Sequence, residues 1–215
     1  MASRPPPGKG ARAAPAGDRE LEATRREAAD CRACPLWKPA TQTVFGEGPA
    51  RARIMLVGEQ PGDQEDIAGR PFVGPAGKLL DRALDEAGID RRLVYVTNAV
   101  KHFKFELRGK RRLHKKPADA EIAACLQWLQ RELELVAPQL VIALGASASR
   151  ALFGRAMPIE KNRGKLTDFA PYGRIMITVH PSFLLRVPDE SRAREYERFV
   201  ADLRIAARAL KRAAD

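Results

Sequence analysis

Residues 53–65 read RIMLVGEQPGDQE. Arg53 leads into four consecutive apolar residues, Ile54 to Val57, and Gly58 ends the run. That is the pattern of a strand buried on both faces that opens into a loop. It returns three times: LVYVT at 93–97 delivers Asn98, LVIAL at 140–144 precedes Gly145, and RIMITV at 174–179 precedes His180. Helical spacing fills the intervals. After Gly74-Pro-Ala-Gly77, Leu79, Leu80, Ala83 and Leu84 share a face that stops at Gly88; after Pro117 the face is Ile122, Leu126, Leu129, Leu133 and Val136. A helical pattern also starts at Asp18, and residues 191–213 form an amphipathic helix with Tyr196, Phe199, Val200 and Leu203 aligned. Strands alternating with helices predict an α/β fold. The expected architecture is a three-layer α/β/α sandwich around a central four-stranded parallel sheet, one domain over 18–215.

Composition narrows the class. A chain of 215 residues with 45% hydrophobic residues can bury one sizeable core and is not globally disordered. No stretch approaches the roughly 18–20 apolar residues of a membrane span. Residues 1–17 (MASRPPPGKGARAAPAG) carry no acid and no apolar secretory segment, and read as a disordered basic tail. Three cysteines without an export signal argue against a disulfide framework and make the cytoplasm the expected compartment. The net charge of +11 points to a polyanionic partner, nucleic acid first. Nothing indicates an oligomer, so a monomer is expected.

The strand ends matter most. Gly58-Glu59-Gln60, Asn98, Gly145 and His180 each follow an apolar strand directly. In an open parallel sheet the carboxyl ends of the strands line the ligand crevice. A carboxylate, two amides and an imidazole are therefore expected on one edge. Polar residues end strands in every fold, so each coincidence alone carries little.

Four constellations carry chemistry. Cys31-x-x-Cys34 follows no strand, which disfavours a thioredoxin-like reading. As metal ligands the pair needs partners, and Cys125 and His102 are available; Cys125 could equally be a small core residue. Zinc and an iron–sulfur cluster both accept such a set. The loop from Gly58 to Gly77 is neither a Walker loop nor a dinucleotide fingerprint. Its glycines and prolines fix an unusual path, and its carboxylates Glu59, Asp63, Glu65 and Asp66 should raise at least one pKa if they share a buried site. Residues 101–116, KHFKFELRGKRRLHKK, set eight Lys/Arg against one Glu, a local +7, with Phe103 and Phe105 interleaved. A solvated basic loop and a nucleic-acid contact both fit this insertion. The surrounding positive charge should keep His114 neutral near pH 7. Finally, His180-Pro181-Ser182 places an imidazole where it could donate to charge developing in the crevice, or simply satisfy loop carbonyls.

Taken together these residues resemble the uracil-DNA glycosylase superfamily. GEQPGDQE at 58–65, PFVGPAG at 71–77, TNAVKH at 97–102 and HPSFLLR at 180–186 match its motif blocks in order, from about Ala29 to the last helix. Cys31, Cys34 and Cys125 are similar to the iron–sulfur, family 4-like branch. Gln60, His102 and the run KRRLHKK are closer to the X-type (UdgX) glycosylases, which cross-link to their DNA product.

The resemblance implies a [4Fe–4S] cluster on Cys31, Cys34, His102 and Cys125, and uracil-containing DNA, preferentially single-stranded, as substrate with free uracil as product. It implies that Phe72 stacks on the flipped base, that Asn98 reads its polar edge beside Gly58, and that His180 stabilises the departing uracil. His114 would then attack C1′ of the sugar, with Glu59 accepting or orienting its proton and Gln60 nearby. Asp63 and Asp66 fall to the site with less definite roles. Lys110, Arg111, Arg112, Lys115, Ser182 and Arg186 would contact DNA. Two rivals remain at this point: a turning-over family 4-type glycosylase whose His114 only grips phosphate, and a zinc-stabilised nucleic-acid-binding protein without chemistry.

Overall fold

The computed structural model describes residues 16–211. The expected basic tail lies almost wholly outside the described residues. Among the described residues seven strands form, β1 Ile54–Gly58, β2 Val94–Asn98, β3 Phe105–Arg108, β4 Arg111–His114, β5 Leu140–Leu144, β6 Leu166–Asp168 and β7 Arg174–Thr178. The helices are α1 Ala16–Ala29, α2 Asp63–Ala68, α3 Pro75–Glu86, α4 Asp119–Val136, α5 Gly145–Phe153, α6 Ile159–Asn162, α7 Pro181–Leu184 and α8 Asp189–Lys211.

One five-stranded sheet has the order β2-β1-β5-β7-β6. The four expected strands pair in parallel, and β6 adds an antiparallel edge to β7. The expected count of four is therefore one short. At three residues with a polar alternation, LTD carries too little apolar signal to register as a strand. Every residue of β1, β2 and β5 is buried, which is why those runs are mostly hydrophobic, with Thr97 and Asn98 at the end of β2 as buried polar exceptions.

The pleat divides the core into two layers. Met55, Val57, Tyr95, Val141 and Ala143 face α1, α4 and α5 through Leu21, Ala28, Ile122 and Leu129. Ile54, Leu56, Val94, Val96 and Ile142 face α3, α7 and α8 through Leu80, Leu84, Leu184, Phe199 and Leu203. The three-layer sandwich holds. Among the described residues no helix is long and apolar enough to cross a membrane.

The basic insertion differs from a loop. Residues 105–114 form a β-hairpin, with Phe105 opposite His114 and Arg108 opposite Arg111 across a Gly109-Lys110 turn. Gly109 takes φ +60, the left-handed conformation such a turn needs. Strand pairing thereby sets His114 on a defined register at the hairpin's base.

Candidate active site

Three strand ends and two loops converge on one edge of the sheet. Gly58 lies opposite Asn98 in register, and His180 follows β7 as the cap of α7. A Cβ on Gly58 would collide with Asn98 Oδ1 and come within 2.7 Å of Phe72 Cζ. Only glycine lets the amide and the ring close over the end of β1. Phe72 itself is buried with φ +58, an uncommon backbone conformation for a bulky residue. Gly77 accommodates that bend, since a Cβ there would overlap the Phe72 carbonyl. Phe72, Asn98 and His180 line a cavity of about 340 Å³ with Gln60, Glu65 and His114. The Phe72 and His180 ring centroids are 6.1 Å apart.

His180 has a defined tautomer. Its Nδ1 accepts the Ser182 backbone N–H at 3.1 Å, with Ser182 Oγ at 2.8 Å. The neutral ring therefore carries its proton on Nε2, which is left free to donate. Burial, with help from His114 and Arg186, pushes its pKa down to about 4, so the ring is neutral at physiological pH.

His114 stands across the cavity. Its Nε2 is 3.4 Å from Glu59 Oε1 and 3.0 Å from Gln60 Nε2. Desolvation lowers its pKa most, Glu59 opposes that, and Arg186 lowers it further. The direction agrees with the expected neutrality, but it comes mainly from partial desolvation of a side chain that stays 45% exposed, and Arg186 rather than the hairpin's own cations adds to it. Gln60 is buried, and its orientation is fixed by the backbone around it. Its Nε2 donates to Lys104 O at 3.1 Å and Lys115 O at 3.0 Å, while Lys104 N donates to its Oε1 at 3.2 Å. Those residues flank β3 and β4. Gln60 thus fastens the hairpin's base to the loop after β1.

The acidic loop divides its labour. Glu65 caps α2 by accepting the Gly62 N–H, and burial, not a neighbouring carboxylate, raises its pKa. Asp66, expected in the base pocket, is fully buried away from it and accepts from Thr41 N and Arg112. Asp63 reaches the cavity wall but also pairs with Arg112 Nε at 2.6 Å.

Arg112, expected on DNA, is therefore turned inward as the clamp between hairpin and loop. Lys115 pairs with Glu106, Lys104 with Glu121 and Lys101 with Glu132. Half of the insertion's cations are compensated internally. Arg108, Lys110, Arg111 and Lys116 have no ion-pair partner among the described residues, nor does Arg186, which lines the cavity beside Ser182.

Two side chains escaped the sequence reading. Ser147, on the first turn of α5, donates its hydroxyl to Glu59 Oε2. Its signal was a hydroxyl three residues past an apolar strand, on the crevice edge. Lys101 and Glu132 are fully buried together: Lys101 Nζ donates to Glu132 Oε2 at 2.5 Å, Thr97 Oγ1 at 2.6 Å and Asn98 O at 2.7 Å. Nothing in a run of solvated-looking lysines marks that one as internal.

The cysteines meet on the α1–α4 side. Cys31 and Cys34 pack against the core layer that contains Cys125. Cys31 Sγ accepts the Trp128 indole N–H at 3.1 Å, and Cys125 Sγ accepts the Lys101 backbone N–H at 3.2 Å. Burial pushes the Cys125 thiol up to about 12, with Cys34 and Cys31 close enough to add to the rise. Three soft donors with N–H groups aimed at two of them suit thiolates held by a metal. His102 Nε2 lies 2.9 Å from Thr43 Oγ1, whose own proton goes to Ala28 O. Nε2 must then be the donor, leaving the Nδ1 pair free to ligate. Among the described residues no three His, Cys, Asp or Glu side chains gather closely enough for one metal ion.

A model of the uracil DNA glycosylase superfamily matches residues 45–204. The type-4 uracil-DNA glycosylase of Thermotoga maritima is 39% identical over 183 residues, covering 85% of this chain and 90% of that protein. The type-4 enzyme of Saccharolobus solfataricus is 39% identical over 176 residues, 78% of each chain. A type-5 uracil-DNA glycosylase of Thermus thermophilus is 35% identical over a shorter span, 55% of this chain and 56% of that protein.

Proposed function

The chain belongs to the uracil-DNA glycosylase superfamily, on its family 4 branch, and from that premise we propose that it excises uracil from DNA and then bonds His114 to C1′ of the abasic sugar. The observation that carries the second step is the His114 imidazole on the same cavity as Phe72, Asn98 and His180, with Glu59 beside its Nε2.

The base enters the cavity at an unstacking cost of a few kcal/mol. Phe72 supplies the stacking face. The Asn98 carboxamide offers a donor and an acceptor to uracil's polar edge; cytosine presents a donor where uracil has O4, so a fixed amide rejects it. The Asn98 backbone is held by its place at the end of β2 and by Lys101, whose Nζ donates to its main-chain carbonyl.

As the C1′–N1 bond breaks, its electron pair leaves with uracil. His180 donates from Nε2–H to that developing anion, worth more in a partly dry cavity than in water. The lone pair of the unprotonated His114 nitrogen forms the new C1′–N bond. Glu59 offsets the imidazolium charge, the ring then loses its remaining N–H proton, and uracil gains one from solvent. The product is an N-alkylated imidazole, which hydrolyses poorly. Asp63 and Asp66 act on this reading through Arg112, by fastening the hairpin rather than touching the base.

Cys31, Cys34, Cys125 and His102 would hold a [4Fe–4S] cluster. When bound it supplies a structural cross-link among the N-terminal helix, α4 and the segment before β3. Single-stranded preference rests on the family resemblance.

The experiment is a denaturing gel after incubation with uracil-containing oligonucleotides, single- and double-stranded. A shifted band that survives boiling, absent with His114→Ala, is the expected result. Repeated release of uracil without such a band would leave a turning-over glycosylase, and no release at all would remove the enzyme reading.

A further inference from the structure

A second cavity, of about 610 Å³, adjoins the first. The two share Gln60, His114, His180, Ser182 and Arg186, so the imidazoles and the Arg186 side chain stand on a common rim. Beyond that rim the walls change character. Leu144, Val179, Ile159 and the exposed Phe183 make one apolar, partly aromatic side. Two carboxylates also reach the wall: Glu160, whose charge is met by Arg163 and Arg198, and Glu59, which is engaged by Ser147 and His114. Lys116 and Arg186, by contrast, are exposed and have no ion-pair partner among the described residues. An apolar slot behind two uncompensated cations fits a base attached to a phosphate.

We propose that this second cavity receives the base of the nucleotide adjoining the uracil, with the intervening phosphodiester lying between Lys116 and Arg186. The inference rests on the uracil reading of the first cavity and extends it to a neighbouring subsite. Seating the adjacent base on Phe183 and Ile159 holds the chain on both sides of C1′. The sugar is then kept within reach of His114 while the glycosidic bond breaks, as positioning of a reacting carbon requires.

Single-turnover trapping is measured against oligonucleotide concentration for three uracil substrates: one intact, one with a tetrahydrofuran abasic residue on the 5′ side, one with it on the 3′ side. Wild type should lose about 10-fold in half-saturation for one of the two sides only, the range expected for one stacked base. Phe183→Ala, at an exposed position, and Ile159→Ala should weaken on intact substrate to the level of that modified one and show no further loss on it. Equal sensitivity on both sides, no sensitivity on either, or variants that keep the wild-type discrimination would overturn the subsite. Wild type on intact DNA is the control for the underlying reading: uracil released without neighbour discrimination removes the subsite alone, whereas no release removes both.

Discussion

His114 Nε2 and Glu59 Oε1 stand 3.4 Å apart, and the other oxygen of that carboxylate accepts the hydroxyl of Ser147. One oxygen is thus occupied by α5 and the other faces the hairpin. A carboxylate held by one hydrogen bond cannot rotate away from the imidazole without breaking it.

Ser147→Ala should therefore slow covalent trapping by roughly 10-fold, the scale of one hydrogen bond to a charged group. Uracil release should fall less, because Phe72, Asn98 and His180 are untouched. Quenched time courses of the shifted band and of free uracil would check the split. Equal slowing of both would show that Ser147 supports the fold and not the Glu59–His114 relationship.

Trapping also needs an uncharged His114, whose pKa lies below the ordinary imidazole value. The rate should be flat above neutrality and fall about 10-fold per pH unit once acid protonates the ring. His180, with its pKa near 4, has the same sign for stability. Its folded-state pKa is depressed, so stability is fully present above about pH 6.5 and declines as pH falls toward 4. Melting temperature against pH, compared with His180→Gln, would isolate that part; the variant should show a shallower decline.

The hairpin's cations are not equivalent. Lys110 and Arg111 lack ion-pair partners among the described residues, whereas Arg112 binds Asp63 and Asp66. Neutralising Lys110 or Arg111 should reduce the salt slope of DNA binding by about one each. Arg112→Gln should leave the slope nearly unchanged and lower the trapping rate through a loosened hairpin. Affinity measured across a salt series separates the two behaviours.

Lys101 and Glu132 form a wholly buried pair, with Tyr95, Thr97 and the Gly46 N–H completing the shell of the carboxylate. Lys101→Met alone should destabilise the protein by about 3–5 kcal/mol, since it strands a buried charge. The double variant with Glu132→Gln should recover much of that loss. Denaturant unfolding of the three proteins reads both numbers.

The four parallel strands, their helices and the crevice residues Gly58, Asn98, Gly145 and His180 were legible from sequence. Their signal is local: a strand buried on both faces is built mainly of apolar residues, and a ligand edge begins where that run stops. The three-residue β6 was not legible, because an edge strand owes its form to its neighbour rather than to its own residues. The hairpin was hidden for a similar reason, as its charges look like those of a solvated loop.

What the chain determined by itself was therefore the layering, the edge that carries the site and the residue types gathered there. Tertiary structure alone decided which charges are spent. It turned Arg112 inward to Asp63 and Asp66, buried Lys101 against Glu132, and set Ser147 on Glu59 across 88 positions. Charge is a property of a residue, but its availability depends on what the fold brings within a few ångströms. For partners this far apart in sequence, no local pattern records that.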